Sequence, residues 1–113
     1  MLPRVSVALA LMLFAPSFGH AQDAQRVPQS ERQHTAYVYA LRCFVIDGSF
    51  GDEPGSHLAF DAAMKLGRLQ NFTNRQLNAD LDHWTAVEQI KALRDPNYKQ
   101  QMLDTCRKLG FAS

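Results

Sequence analysis

The stretch HTAYVYALRCFVIDG, residues 34–48, is the most apolar part of the chain after its first fifteen residues. Its β-branched and aromatic side chains favour a strand by propensity alone. Residues 22–113 offer no second strand to pair with it, and an unpaired strand would leave its backbone polar groups without hydrogen bonds. A helix satisfies these groups internally, so we predict a helix from about Glu31 to Asp47, ended by Gly48 in the left-handed conformation.

Apolar side chains lie on most sides of this predicted helix, which is typical of a central helix buried by its neighbours. Cys43 shares one face with three residues, which are Ala36, Ala40 and Asp47. The small side chains of that face let another helix approach closely. Arg42 lies across the helix from them, and we expect it at the edge of the buried face, either snorkelling or paired with a carboxylate.

Local start signals divide the rest of the chain into further helices. Ser30 and Thr73 are each followed three residues later by Gln, which is the spacing of a capping box. The segments 52–54 (DEP) and 95–96 (DP) also predict helix starts, because an acidic residue can cap a helix and proline suits its first turn. Four helices with short connections predict an all-α, four-helix bundle-like domain in which the first helix is central.

Helical periodicity predicts which side chains the later helices bury. We expect the second helix, which runs to about Gln70, to bury Leu58, Ala62, Leu66 and Leu69. On the third helix the stripe comprises Leu77, Leu81 and Trp84, and the apolar positions beyond it drift around the helix. On the fourth helix the stripe comprises Tyr98, Met102, Cys106 and Leu109. Asn71 is suited to the left-handed position after the second helix, and residues 110–111 predict a Schellman-type stop after the fourth.

The beginning of the chain has the three-part pattern of a secretory signal peptide: Arg4, an apolar run over residues 5–14, and small residues up to Ala21. The apolar run is too short to span a bilayer, although an uncleaved N-terminal anchor is the alternative. We therefore expect a periplasmic or secreted protein without a membrane span after cleavage. The predicted segments are a signal peptide (1–21), a flexible lead-in (22–30) and a single helical domain (31–113).

The two cysteines predict a disulfide bond between Cys43 and Cys106, since an even number of cysteines in an exported protein is most simply explained in this way. A redox-active or metal-binding pair would need a short spacing such as C-x-x-C, which is absent. The closed loop spans most of the domain, and the chain-entropy model gives about 4 kcal/mol of stabilisation. This is comparable with the whole stability of a small domain.

Charge and motifs exclude several classes of function. The chain has twelve basic and eleven acidic residues, and removal of Arg4 with the signal peptide balances them. A balanced surface without a basic cluster argues against nucleic acid or anionic lipid as a partner. The sequence contains no nucleophile elbow, P-loop or dinucleotide motif. We expect no cofactor, no metal and no enzymatic activity; His57 with Asp61, and residues 80–83, have no metal-ligand spacing and are interpreted as exposed charge.

Two aromatic residues are the candidate binding residues. Phe50 is set in a glycine-containing loop, where an aromatic side chain has few local reasons to occur. The alternative is that Phe50 folds down and closes the end of the bundle. Trp84 is either a core residue or an exposed anchor for a partner, since tryptophan is enriched at binding hot spots.

By elimination, the sequence predicts a small exported protein-binding module, with a protein partner in the cell envelope or a second copy of itself. An exported four-helix domain with one cysteine in its first helix and one in its last resembles small periplasmic immunity proteins that block cell-wall amidase toxins. The chain is also similar in size and cysteine count to acid-stress periplasmic chaperones. An immunity or inhibitor protein, a chaperone, and a small cell-wall-directed hydrolase are therefore the alternative functions. No functional residue is carried over from these resemblances.

Overall fold

The structure is a computed structural model that describes residues 27–113, and it confirms the predicted all-α fold. Its elements are α1 (Gln29–Ser49), α2 (Glu53–Leu69), α3 (Asn74–Arg94) and α4 (Pro96–Lys108). The predicted signal peptide and most of the predicted lead-in lie outside the described residues. Within the described part of the chain there is no strand.

The central position predicted for the first helix is confirmed. α1 packs against α2, α3 and α4, and α3 also packs against α4. Two groups of buried side chains lie along α1. The group near its start comprises Tyr37, Ala40, Leu41, Ala63 and Leu77. The group near its end comprises Cys43, Ile46, Ala59, Met102, Leu103 and Cys106.

A disulfide bond joins the central helix to the last one, as predicted. The sulfur atoms of Cys43 and Cys106 are 2.11 Å apart, and the two Cα atoms are 5.6 Å apart. The predicted Schellman-type stop follows directly: Gly110 has a φ of 79°, and the Phe111 backbone N–H donates to the Cys106 carbonyl at 2.8 Å. Phe111 therefore packs against the group of buried residues that contains the disulfide.

Both predicted ends of α1 are wrong. The helix begins at Gln29 after Pro28, with no side-chain cap, so the predicted capping box at Ser30 does not form. Gly48 is helical, because the Phe50 backbone N–H still bonds to the carbonyls of the preceding turn and extends the helix to Ser49. The chain reverses at Gly51 instead, which has a φ of 76° that glycine adopts without strain.

The other helix starts are as predicted. Asp52 accepts a hydrogen bond from the Gly55 backbone N–H, and Asp95 accepts one from the Asn97 backbone N–H. Thr73 forms the complete capping box with Gln76. These caps satisfy backbone donors that the first turn of each helix leaves free. The left-handed position expected at Asn71 is also present, with a φ of 62°.

The buried face predicted for α2 is wrong for Leu58 and Leu69, whereas Ala62 and Leu66 pack against the buried group near the start of α1. Leu58 and Leu69 are 53% and 57% exposed, and Ala62 and Leu66 are only half-buried. The face that packs against the core consists of small residues, namely Gly55, Ala59, Ala63 and Gly67. A β-carbon on Gly67 would lie 2.3 Å from a methyl carbon of Leu77, so α2 lies too close to its neighbours for larger side chains. The last member of the predicted α4 stripe, Leu109, is likewise 47% exposed.

Candidate functional site

A buried polar cluster ties α1, α3 and α4 together. Arg42 Nε donates to Glu88 Oε1 at 2.6 Å, and an Arg42 Nη donates to the Tyr98 hydroxyl at 3.2 Å. The Tyr98 hydroxyl in turn donates to the other carboxylate oxygen of Glu88. Glu88 is completely buried. The carboxylate partner expected for Arg42 is therefore present, although the sequence analysis did not identify Glu88.

A signal for Glu88 exists in the sequence. Leu77, Leu81 and Trp84 form the inner stripe of α3, and the next residue on that stripe is Glu88. A lone carboxylate on an apolar stripe, together with a lone arginine on an apolar helix, is the pattern of a buried ion pair. The prediction placed Leu77, Leu81 and Trp84 on one stripe of α3 but did not continue that stripe to Glu88.

The charged groups of this cluster satisfy one another. Burial alone would lower the pKa of Arg42, but the hydrogen bonds from its guanidinium to Tyr98 and Glu88 outweigh burial and raise it. Burial and the hydrogen bond to Glu88 raise the pKa of Tyr98. The Arg42 guanidinium also lies over the rings of Tyr39 and Trp84, at 4.9 and 5.4 Å from their centroids. The polar groups of the cluster are thus directed mainly at one another.

The two predicted binding residues lie in different packing environments. Trp84 is half-buried and packs against the buried side chains near the start of α1. Phe50 is 40% exposed in the turn after α1. The Lys99 Nζ lies 4.3 Å from the centroid of the Phe50 ring and donates to the Ser49 carbonyl at 3.3 Å. The Lys99 side chain of α4 thus covers part of the Phe50 ring. The rest of the ring is exposed to solvent.

A groove crosses α1 near its C-terminal end, and we call it the α1 groove. It consists of three adjoining concavities of about 870, 340 and 330 Å³ that share lining residues. Its floor is one side of α1, on which Phe44 and Val45 are half-buried and Gly48 and Ser49 are exposed. One wall is the first half of α2, which contributes Glu53, Ser56, His57, Phe60 and Asp61. The other wall is the second half of α3, which contributes Thr85, Gln89, Ala92 and Leu93, with Lys99 of α4 at its end.

The groove exists because α2 and α3 separate as they approach the end of α1. Near the start of α1, Ala63 and Leu77 from the two helices belong to one buried group and cover the central helix. Near its end, Glu88 holds α3 to Arg42 and Tyr98, while Ala59 of α2 joins the group around the disulfide. The side of α1 between these two anchored helices is left uncovered.

The floor of the α1 groove is largely apolar, whereas its two rims differ in charge. The rings of Phe44 and Phe60 meet edge to face with centroids 5.5 Å apart. Val45 lies beside them, and Leu93 on the α3 rim is 85% exposed. The rim on α2 carries the acidic residues Glu53 and Asp61.

Asp47 is a second unusual group, and it lies on the side of α1 that faces away from the α1 groove. It lies on the Cys43 face as predicted, it is completely buried, and neither carboxylate oxygen has a hydrogen-bond partner in the described structure. Burial, and after it repulsion from Asp52, raise the pKa of Asp47, attraction to Arg107 opposes them, and together these effects place the pKa at about 7. Hydrogen bonds from Ser113, followed by one from the Gly55 backbone, lower the pKa of Asp52. The charge of the buried Asp47 carboxyl therefore changes near neutral pH.

The acidic and histidine residues of the described part of the chain show no metal-binding arrangement. Within residues 27–113 there is no group of three or more His, Cys, Asp or Glu side chains that could hold a metal ion. Asp80 accepts a hydrogen bond from the Tyr37 hydroxyl at 2.8 Å, and Asp82 and His83 are exposed. No helix of this part of the chain is long and apolar enough to cross a membrane.

Comparison of the chain with protein-family models, with curated proteins and with solved structures finds no match. The geometry of the α1 groove is therefore the main guide to function.

Proposed function

We propose that this protein is an exported binding module, periplasmic or secreted, whose α1 groove holds a segment of another protein. The observation that carries the proposal is the apolar floor of α1, left uncovered between two helices that are each anchored elsewhere. A groove between two helices over an apolar floor is a common binding site for an amphipathic helix of a partner. Such a segment would cover Phe44 and Val45 in the way that Ala63 and Leu77 cover the first half of α1.

Export is supported by covalent chemistry and by sequence. A disulfide between two fully buried cysteines persists in an oxidising compartment and is rare in a reducing one. The signal-like pattern of residues 1–21 agrees with this location. Binding is favoured over catalysis because the one fully buried, hydrogen-bonded carboxylate of the described residues, Glu88, is engaged by Arg42 and Tyr98 and has no contact with solvent.

The test is capture from an envelope extract with matched variants. Residues 22–113 are immobilised as the wild type, as Leu93→Glu, which places a charge on the α3 rim of the groove, and as Leu58→Glu, which places the same charge on an exposed leucine outside the groove. Circular dichroism first checks that the three proteins are equally helical. We expect wild type and Leu58→Glu to capture one partner in equal molar amount, and Leu93→Glu to capture at least about tenfold less, as when a charge is buried in an interface. Recovery of no partner, or equal recovery by all three, would contradict the proposal.

A further inference from the structure

We propose that the occupant of the α1 groove is an amphipathic helix that carries basic side chains along the edge facing α2. This inference rests on the proposed function and adds the chemistry of the partner. It is carried by the difference in charge between the two rims of the groove.

The α2 rim is acidic. Glu53, His57 and Asp61 lie one turn apart on the same face of α2, and all three are exposed. Among the described residues, ion pairs form only between Arg42 and Glu88 and between Arg107 and Asp104. The carboxylates of the α2 rim therefore have no basic partner within the described part of the chain. Two unpaired acids above an apolar floor favour a basic residue on whatever occupies that floor.

The opposite rim does not offset this charge. Thr85, Gln89 and Ala92 are uncharged. Among residues 27–113, Lys99 at the far end is the one lysine or arginine lining the groove, and its side chain is directed to the Phe50 ring and the Ser49 carbonyl. A partner helix therefore meets negative charge on one long side and neutral groups on the other, which favours a helix with one basic edge.

The probes are two synthetic helical peptides of about 18 residues, long enough to form several turns. Both have the same leucine and alanine face, and along one edge of that face one peptide has lysine where the other has glutamate. Binding of each labelled peptide to residues 22–113 is measured by anisotropy at low salt. Because an exposed ion pair contributes only modestly to binding, two such pairs replaced by repulsion predict roughly fivefold to tenfold tighter binding of the lysine peptide. The preference should shrink at about 0.5 M salt, where exposed charges are screened.

Variants identify which rim of the groove causes the preference for the lysine peptide. Replacement of Glu53 by Gln together with Asp61 by Asn should bring the two affinities to within about twofold, since it removes the acids of the rim and leaves the floor unchanged. The matched control is Asp82→Asn, which removes an exposed acid of α3 outside the groove and should keep the full preference. Leu93→Glu should weaken both peptides.

The outcomes separate this inference from the proposed function. Equal binding of both peptides, with Leu93→Glu weakening both, overturns the basic edge and leaves the groove as a binding site. Tighter binding of the glutamate peptide, or binding of neither, overturns the inference, while the capture experiment judges the proposed function independently. Sedimentation of the wild type as a dimer that Leu93→Glu dissociates would assign the groove to a second copy of the chain, and would also overturn it.

Discussion

At the scale of single residues, the completely buried Glu88 has the largest consequences. Its carboxylate accepts from both Arg42 and Tyr98, so one side chain of α3 holds the two helices that are also joined by the disulfide. Breaking a buried pair by removing one partner is strongly destabilising, because the other charge is left without compensation.

Glu88→Gln should therefore lower the free energy of unfolding by about 3 kcal/mol, since the half-buried Arg42 would lose its charged partner. Urea denaturation followed by circular dichroism measures the change. Asp104→Asn is the matched control, because it breaks an ion pair in which both side chains are 54% exposed, and it should change stability by less than about 0.5 kcal/mol. Equal effects of the two substitutions would show that the Glu88 pair does not stabilise the fold.

Asp47 is also completely buried, but unlike Glu88 it has no hydrogen-bond partner in the described structure to compensate for its burial. The raised pKa of about 7, against an ordinary value of 3.8, means that the folded state binds this proton more tightly than the unfolded state. The stability associated with the neutral carboxyl is fully present below about pH 4. It is lost progressively as the pH rises to about 7, and it does not decrease further above that value.

Asp47→Asn should remove this pH dependence. We expect the wild type to lose stability between about pH 4 and pH 7, and the variant to stay nearly constant over that range and to be the more stable protein at about pH 8. Urea denaturation at a series of pH values measures both curves. Asp82→Asn, which changes an exposed acid, should follow the wild type; a parallel curve for Asp47→Asn would contradict the assignment.

At the scale of helices, close packing of α2 against α1 depends on small residues. Gly67 lies against Leu77 and Tyr37, and a β-carbon there would be 2.3 Å from the nearest leucine carbon. Gly48 is also helical, but the nearest atom to a β-carbon there is 3.9 Å away. Substitutions at these two glycines therefore distinguish the effect of helix propensity on stability from the effect of packing.

Gly67→Ala and Gly48→Ala should change stability in opposite directions. At Gly48 the substitution should stabilise the protein by up to about 1 kcal/mol, because alanine favours the helix. At Gly67 the clash should outweigh that gain and destabilise the protein by about 1–3 kcal/mol. Thermal unfolding of both variants measures the difference, and stabilisation by Gly67→Ala would mean that α2 packs less closely than described.

Sequence patterns predicted three of the four helix starts, where a local rule decides the outcome, and the same rule failed at Ser30. The capping box at Thr73 and the caps at Asp52 and Asp95 depend on a few neighbouring residues, and all three formed. The buried face of α2 was predicted wrongly because periodicity favours leucines such as Leu58, whereas the distance between helices is a tertiary property that selects small residues. The candidate site was not predictable, since the α1 groove results from the separation of two helices and no single segment encodes that separation.

At the scale of the whole molecule, the disulfide closes most of the domain into one loop. Cys43 and Cys106 are 63 residues apart, and both are completely buried. In the chain-entropy model a loop of this length restricts the unfolded chain by about 4 kcal/mol. The small domain has few other means to compensate for its limited core.

Reduction of the disulfide, or the double substitution of Cys43 and Cys106 by alanine, should lower the melting temperature by roughly 15–30 °C, because each kcal/mol corresponds to about 4–8 °C in a domain of this size. Differential scanning calorimetry with and without reductant measures the shift. The doubly substituted protein without reductant is the reference that separates loss of the covalent bond from effects of the reagent. An unchanged melting temperature would show that noncovalent packing alone maintains the bundle.

The position of Trp84 gives the molecule a built-in optical reporter. It is the single tryptophan of the chain, and it lies half-buried with the Arg42 guanidinium 5.4 Å from its ring. Indole emission depends on the polarity and charge around the ring, so its wavelength follows the contact between the first and third helices without any attached dye. Release of the arginine from its carboxylate, or separation of these helices, would shift the emitted light even where the helical content of the protein is unchanged.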